Sequence, residues 1–160
     1  MNEAALREQL RRILSWGDAH VTFEGAVQGM PEGQRGQRPE GAPHSPWELV
    51  EHLRITQRDI LDFCRDPEYH ELAWPEDYWP GDLAPPTPPA WDESLAAFQR
   101  DREALAALAA DPEVDLFAPI PWGSGQTCLR ELLLAADHTA HHLGQLVLVR
   151  RLLGSWPPPS

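Results

Sequence analysis

The sequence predicts an all-α protein, a four-helix bundle, on three observations. Four segments carry apolar residues at three- and four-residue spacing, none alternates with the period of two that strands need, and stretches dense in proline and glycine divide them. The 160 residues are about one domain's worth of chain, and 1–160 reads as a single domain that needs no disulfide or metal as a folding crutch. Hydrophobic residues at 42% and charged residues at 24% are a globular composition, while 17 prolines require long loops, expected at about 29–44, 67–89 and 111–126.

The first helix is expected from Glu3 to Gln28. Asn2 can cap it, and Leu6, Leu10, Ile13, Leu14, Gly17 and Val21 form its stripe, until Gly29, Met30 and Pro31 stop it. The second announces itself in SPWELVEHL. Ser45 is an N-cap, Pro46 suits the first helical position and Glu48 completes a capping box, and the helix ends at Asp66-Pro67. The connection over 67–89 is too long for a tight αα-hairpin. It suits a crossover running the length of a bundle, pinned by its aromatic residues, which would leave the second and third helices parallel.

The third helix is expected from about Pro89 to Ala110, with Leu95, Phe98, Leu105 and Leu108 at bundle spacing and Asp111-Pro112 ending it. The fourth runs from near Thr127 to about Leu153. It is apolar almost all round, with Leu129, Leu132, Leu133 and Leu143 on one side and Leu134, Val149 and Leu152 on another, and so reads as central. The tail, 154–160, has no helix potential.

Charge narrows the function. The 13 basic residues, all arginine, face 25 acidic ones, for a net charge of −12, and such a surface repels phosphate backbones, so no nucleic-acid partner is expected. The charged N-terminus has no apolar signal region and no run approaches a membrane span, so the chain reads as soluble and cytoplasmic. Cys64 and Cys128 lie in helical patterns and form no C-x-x-C, which points to two reduced thiols and not to a cysteine zinc site.

The histidines carry the chemical signal. In DHTAHHLGQ, His138 and His142 are one helical turn apart, about 40° from each other around the axis, close enough for two imidazoles to share one cation. His141 points away and reads as a rim residue. His52, mid-helix among apolar residues, can supply a third imidazole from a facing helix, and three imidazoles with an open fourth position is a catalytic zinc geometry. His138 and His142 also occupy a helix with little polar surface, and buried imidazoles need partners.

Rival metal motifs fail by position. Thr139 stands where a zincin needs its glutamate, and Leu49 and Ala135 stand where a di-iron bundle needs a glutamate three residues before its histidine. Asp137, Glu131 and Gln145 are candidate supplementary groups or partners to the ligands. The WGSGQT segment, residues 122–127, reads as a helix-initiating turn in preference to an anion site, since it lacks the lysine and preceding strand of a P-loop. Trp47, Trp122 and the Trp74-to-Trp79 cluster are candidates to line a pocket or to anchor loops.

His52, the H-x-x-x-H-x-G-Q run from His138 to Gln145 and the GQT-C-LRE start of the fourth helix resemble the DinB-like (YfiT-like) superfamily of metal-dependent bundles, over essentially the whole chain. The resemblance implies an up-down-down-up four-helix bundle holding a divalent metal, zinc or nickel, on His52, His138 and His142. It also implies thiol-dependent S-transfer, with a low-molecular-weight thiol as cosubstrate, an electrophile as its target, and detoxification or stress response as the role. A homodimer is a further expectation resting on the resemblance.

The implied mechanism has a physical basis: a dication on neutral ligands stabilises a thiolate, so that the thiol attacks at neutral pH. His44 and His141 are the candidate general bases, and solvated loop or rim positions are the plainer reading of both. Two alternatives use the same ligands: metal-assisted hydrolysis with water at the open position, and a non-catalytic stress-related bundle in which the metal is a structural clip.

Overall fold

Described over residues 2–157, the chain is all-helical in a computed structural model. Its elements are α1 (Glu3–Ile13), α2 (Phe23–Val27), α3 (Pro46–Arg65), α4 (Ala90–Ala110) and α5 (Cys128–Leu152), with 3-10 turns at Glu32–Gln34 and Glu76–Tyr78. One isolated β-bridge, Pro119 to Thr127, closes the loop before α5. Residues 158–160 of the expected tail lie outside the described residues. Among the described residues, no helix is long and apolar enough to cross a membrane.

The expected single helix from Glu3 to Gln28 is instead two. After Ile13 the bonds from Ser15 N–H to Arg12 and from Trp16 N–H to Ile13 reach back only three residues, and the chain leaves the helical path at Gly17 and Asp18. It then folds back closely enough that a Cβ on Gly17 would stand 2.8 Å from Thr22 Cγ2. Thr22 restarts the helix by accepting from Gly25 N–H at 3.2 Å. After the break Phe23 lies in the core, stacked on Phe98 with centroids 4.0 Å apart, a contact worth about 1 kcal/mol beyond its area.

α3 starts where its capping box requires. Ser45 Oγ accepts from Glu48 N–H at 3.2 Å, and Glu48 Oε2 accepts from Ser45 N–H at 2.8 Å. Arg38 pairs with the same carboxylate and, with the Ser45 N–H, holds it below the usual range against the opposing effect of burial. α3 packs on both α4 and α5, and α1 packs mainly on α4. Arg7, buried on α1, donates to the carbonyls of Ala109, Asp111 and Val114 and so ties down the end of α4.

α5 starts at Thr127, whose hydroxyl accepts from Arg130 N–H at 3.2 Å. It stops at Gly154, whose φ of +73° lets Ser155 N–H turn back to the Arg150 carbonyl at 2.9 Å. Contrary to its all-round apolar sequence, α5 is not enclosed: Leu133, Leu148 and Leu152 are 45%, 57% and 54% exposed. Two core clusters result, one around Leu10, Ile60, Leu61, Leu105 and Leu132, the other around Phe23, Leu53, Phe98, Leu143 and Leu146. Along α5 the histidine run lies between Ala135 of the first cluster and Leu143 of the second.

Candidate metal centre

Three imidazoles meet where α3 faces α5. His52 is 2% exposed and His142 8%, and His138 is half-buried. His52 Nε2 lies 3.2 Å from His142 Nε2 and 3.0 Å from His138 Nε2, and one ligand atom from each residue falls within 4.8 Å of the others. The i, i+4 pair of α5 and the lone histidine of α3 thus form the cluster their sequence positions predict.

The outer nitrogens fix what the inner ones can do. His52 Nδ1 stands 2.7 Å from the Tyr78 carbonyl, which can only accept, so Nδ1 carries the proton and Nε2 presents a lone pair. His142 Nδ1 stands 2.7 Å from Gln145 Oε1, and the amide nitrogen of Gln145 stands 3.1 Å from His141 Nε2, which orients the amide oxygen toward His142. His142 Nε2 therefore also presents a lone pair. Two lone pairs 3.2 Å apart repel, and a proton from His138 can relieve only one of them.

Protonation does not resolve the conflict. Burial, reinforced by the neighbouring imidazoles, pushes His138 down to about 3 and, with a lesser opposing effect of Gln145, His142 down to about 4. Burial also lowers His52, with the Tyr78 carbonyl acting against it. A cation resolves it directly. Nitrogen ligands at about 2.05 Å in a tetrahedral arrangement lie about 3.3 Å apart, close to the 3.2 and 3.0 Å that separate His52 Nε2 from its two neighbours. The donor set is neutral and convergent, with His52 and His142 already oriented by their outer hydrogen bonds, and it fits a divalent metal.

Trp79 lies flat against the other face of His52, with centroids 3.8 Å apart. His44 stacks on the far side of Trp79 at 3.9 Å, so the indole is sandwiched between two imidazoles. Burial lowers His44, and its buried Nδ1 has no hydrogen-bond partner. His44 does not line the cleft described next, and His141 is exposed and engaged with Gln145, so neither candidate base is placed beside it.

A cleft of about 630 Å³ opens beside His138, lined by Thr56 and Ile60 of α3, Leu134 of α5, Trp74 and Tyr78 of the crossover, and Trp122. Trp122 is fixed there by donating to the Phe63 carbonyl at 2.8 Å. Among the tryptophan candidates, Trp74 and Trp122 line this cleft, Trp79 packs on a candidate ligand, and Trp47 is a core residue at 4% exposure. Trp74 is 69% exposed and touches the crossover's own Tyr78, with centroids 5.4 Å apart, while Tyr69, Tyr78 and Trp79 anchor the crossover to the bundle.

Of the supplementary candidates, Gln145 is a direct partner of His142. Glu131 is buried, pairs with Arg130 at 2.6 Å and lines the cleft away from the triad, while Asp137 is exposed. The WGSGQT turn is closed on itself, Gln126 Oε1 accepting from Ser124 N–H at 2.7 Å, in keeping with a helix-initiating turn. Cys64 and Cys128 are buried and free.

Sequence reasoning missed Asp59 and Tyr78. Asp59 accepts from the Tyr69 hydroxyl at 2.8 Å and the Tyr78 hydroxyl at 2.7 Å on the cleft wall. The only sequence signal was two tyrosines in an otherwise irregular crossover.

A family model described as the DinB superfamily matches residues 17–146, most of the chain. No curated protein and no solved structure matches it.

Proposed function

Because this chain belongs to the DinB superfamily, we propose that it is a metal-dependent S-transferase, in which a low-molecular-weight thiol attacks an electrophile in the cleft beside the histidine triad. The observation that carries the reading is the convergence of three neutral imidazole nitrogens at the edge of an aromatic-walled cleft. His52, His138 and His142 would hold the metal, zinc or nickel. When bound, the metal supplies positive charge that favours the thiolate form of an incoming thiol.

The chain's own residues do the rest. Tyr78 and Gln145 keep two of the ligands in the tautomer that offers Nε2. Burial keeps all three imidazoles neutral, so that protons compete little for the same lone pairs. Trp74, Tyr78 and Trp122 give the electrophile an aromatic surface to lie against beside His138. Detoxification of reactive small molecules is the role this chemistry would serve.

The test is elemental analysis of tag-free protein, comparing the unaltered chain with a His138→Ala/His142→Ala variant. Close to one zinc or nickel per chain, lost in the variant, supports the site; a screen of thiols against electrophiles then addresses the reaction. Turnover of an ester without any thiol would replace S-transfer by hydrolysis. Absence of metal after reconstitution sinks both.

A further inference from the structure

Asp59 follows His52 by two helical turns on α3 and is not one of the clustered ligands, yet Tyr78 joins the two. The Tyr78 hydroxyl donates to Asp59 Oδ2 at 2.7 Å, and the Tyr78 carbonyl accepts from His52 Nδ1 at 2.7 Å. Tyr69 donates to the other carboxylate oxygen at 2.8 Å, so both oxygens of Asp59 are engaged by phenols of the crossover. Tyr78 ends the 3-10 turn Glu76–Tyr78, and its own side chain bonds that turn to α3.

That hydrogen bond has a consequence for the ligand. A neutral imidazole exchanges readily between its two tautomers, and only the form protonated at Nδ1 leaves Nε2 free to bind a cation. What selects that form for His52 is a loop carbonyl, and a loop carbonyl is only as well placed as the loop is held. We propose that Asp59 is a positioning residue for the metal centre: by gripping the Tyr78 hydroxyl it sets the Tyr78 carbonyl, which holds His52 with its Nε2 lone pair turned toward His138 and His142. The inference rests on the metal-binding reading above, but its first readout does not.

The rival explanation is that Trp79, flat on His52, fixes the ring without help from Asp59. Stacking restrains the plane of a ring; it does not choose which nitrogen carries the proton. The two explanations therefore differ in the tautomer.

The experiment uses the full chain, unaltered and as Tyr78→Phe, Asp59→Ala, Tyr69→Phe and the Tyr78→Phe/Asp59→Ala double variant. In metal-free protein at neutral pH, the ring 15N shifts of His52 report the tautomer. Zinc affinity is measured by competition with a chromophoric chelator. We expect one Nδ1–H tautomer in the unaltered chain and in Tyr69→Phe, and a mixture in Tyr78→Phe and Asp59→Ala, with zinc affinity falling about 2- to 10-fold in the latter two, as the competent fraction falls. The double variant is expected to be no worse than either single one, as for residues acting through one contact.

Unchanged 15N shifts and unchanged zinc affinity in Tyr78→Phe would overturn the proposal. So would additive losses in the double variant. Should Asp59→Ala fail to fold, Tyr78→Phe, which removes one hydroxyl, decides alone. If the unaltered chain binds no zinc, the metal reading falls, and the 15N shifts still decide whether Asp59 positions His52.

Discussion

The indole of Trp79 lies on the imidazole of His52 with the two planes 2° from parallel and the centroids 3.8 Å apart. The contact puts a fluorophore against a candidate ligand, on a residue that does not itself bind the cation. Titrating metal-free protein with nickel or cobalt should quench tryptophan emission, saturating at one equivalent. Trp79→Phe should remove the largest share of that quenching, and equal quenching in the variant would refute this placement.

Proton competition is expected to set in late. The folded values of His138 and His142, about 3 and about 4, lie below the ordinary histidine value, chiefly because burial disfavours the charged ring. Metal retention at pH 5 should therefore be close to that at pH 7, measured by elemental analysis after dialysis at each pH. Loss with a midpoint near 6.5 would contradict it.

The same groups set a stability trend in metal-free protein. The unfolded chain takes up protons on these histidines below about pH 6.5 while the folded one does not, so acidification favours unfolding. The stability their burial preserves is complete above about pH 6.5 and is lost as pH falls toward the folded values, at up to about 1.4 kcal/mol per pH unit for each imidazole. Urea midpoints between pH 7 and pH 4 should fall accordingly, and less steeply in His138→Ala.

Arg150 should be intolerant of truncation. It is completely buried, and its guanidinium donates to the carbonyls of Ala26, Gln28 and Ser155 at 2.6 to 2.8 Å. Arg150→Met would strand acceptors at the end of α2 and beyond α5, and a loss of about 3 kcal/mol or more is expected by chemical denaturation. A loss below 1 kcal/mol, on the same order-of-magnitude scale, would show that water replaces the guanidinium.

Gly144 offers a gain. It sits within α5, and a Cβ added there meets nothing within 4 Å. Gly144→Ala should stabilise the chain by about 0.5 to 1 kcal/mol through helix propensity and leave zinc stoichiometry unchanged. A destabilised variant would show that something packs on that face in solution.

Local features were legible in the sequence. The start of α3 follows from Ser45, Pro46 and Glu48, and the ends of α3 and α4 from Asp66-Pro67 and Asp111-Pro112, because capping and proline geometry depend on a few adjacent residues. The pairing of His138 with His142 is likewise a property of one helical turn. The break after Ile13 was harder: Gly17 and Val21 continue the spacing of a helix, while the burial of Phe23 against Phe98 that favours the break belongs to tertiary structure. The exposed leucines of α5 show the complementary limit, since periodicity marks which faces are apolar and not whether another element covers them. The links from Asp59 to Tyr69 and Tyr78 join a helix to an irregular loop, where no repeating spacing announces a partner.

His52 and His142 stand ninety residues apart along the chain. A cation held by both would act as a reversible staple across that span, closing in the native state a loop that the denatured chain leaves open. Because such a staple forms in the folded chain and not in the open one, what it adds is its own binding free energy, about 2.7 kcal/mol at a free cation concentration 100-fold above Kd. Binding therefore has a mechanical side that is independent of any reaction: with its cation in place the bundle must release it before it opens, and so would resist heat and proteolysis more than the same bundle stripped of it.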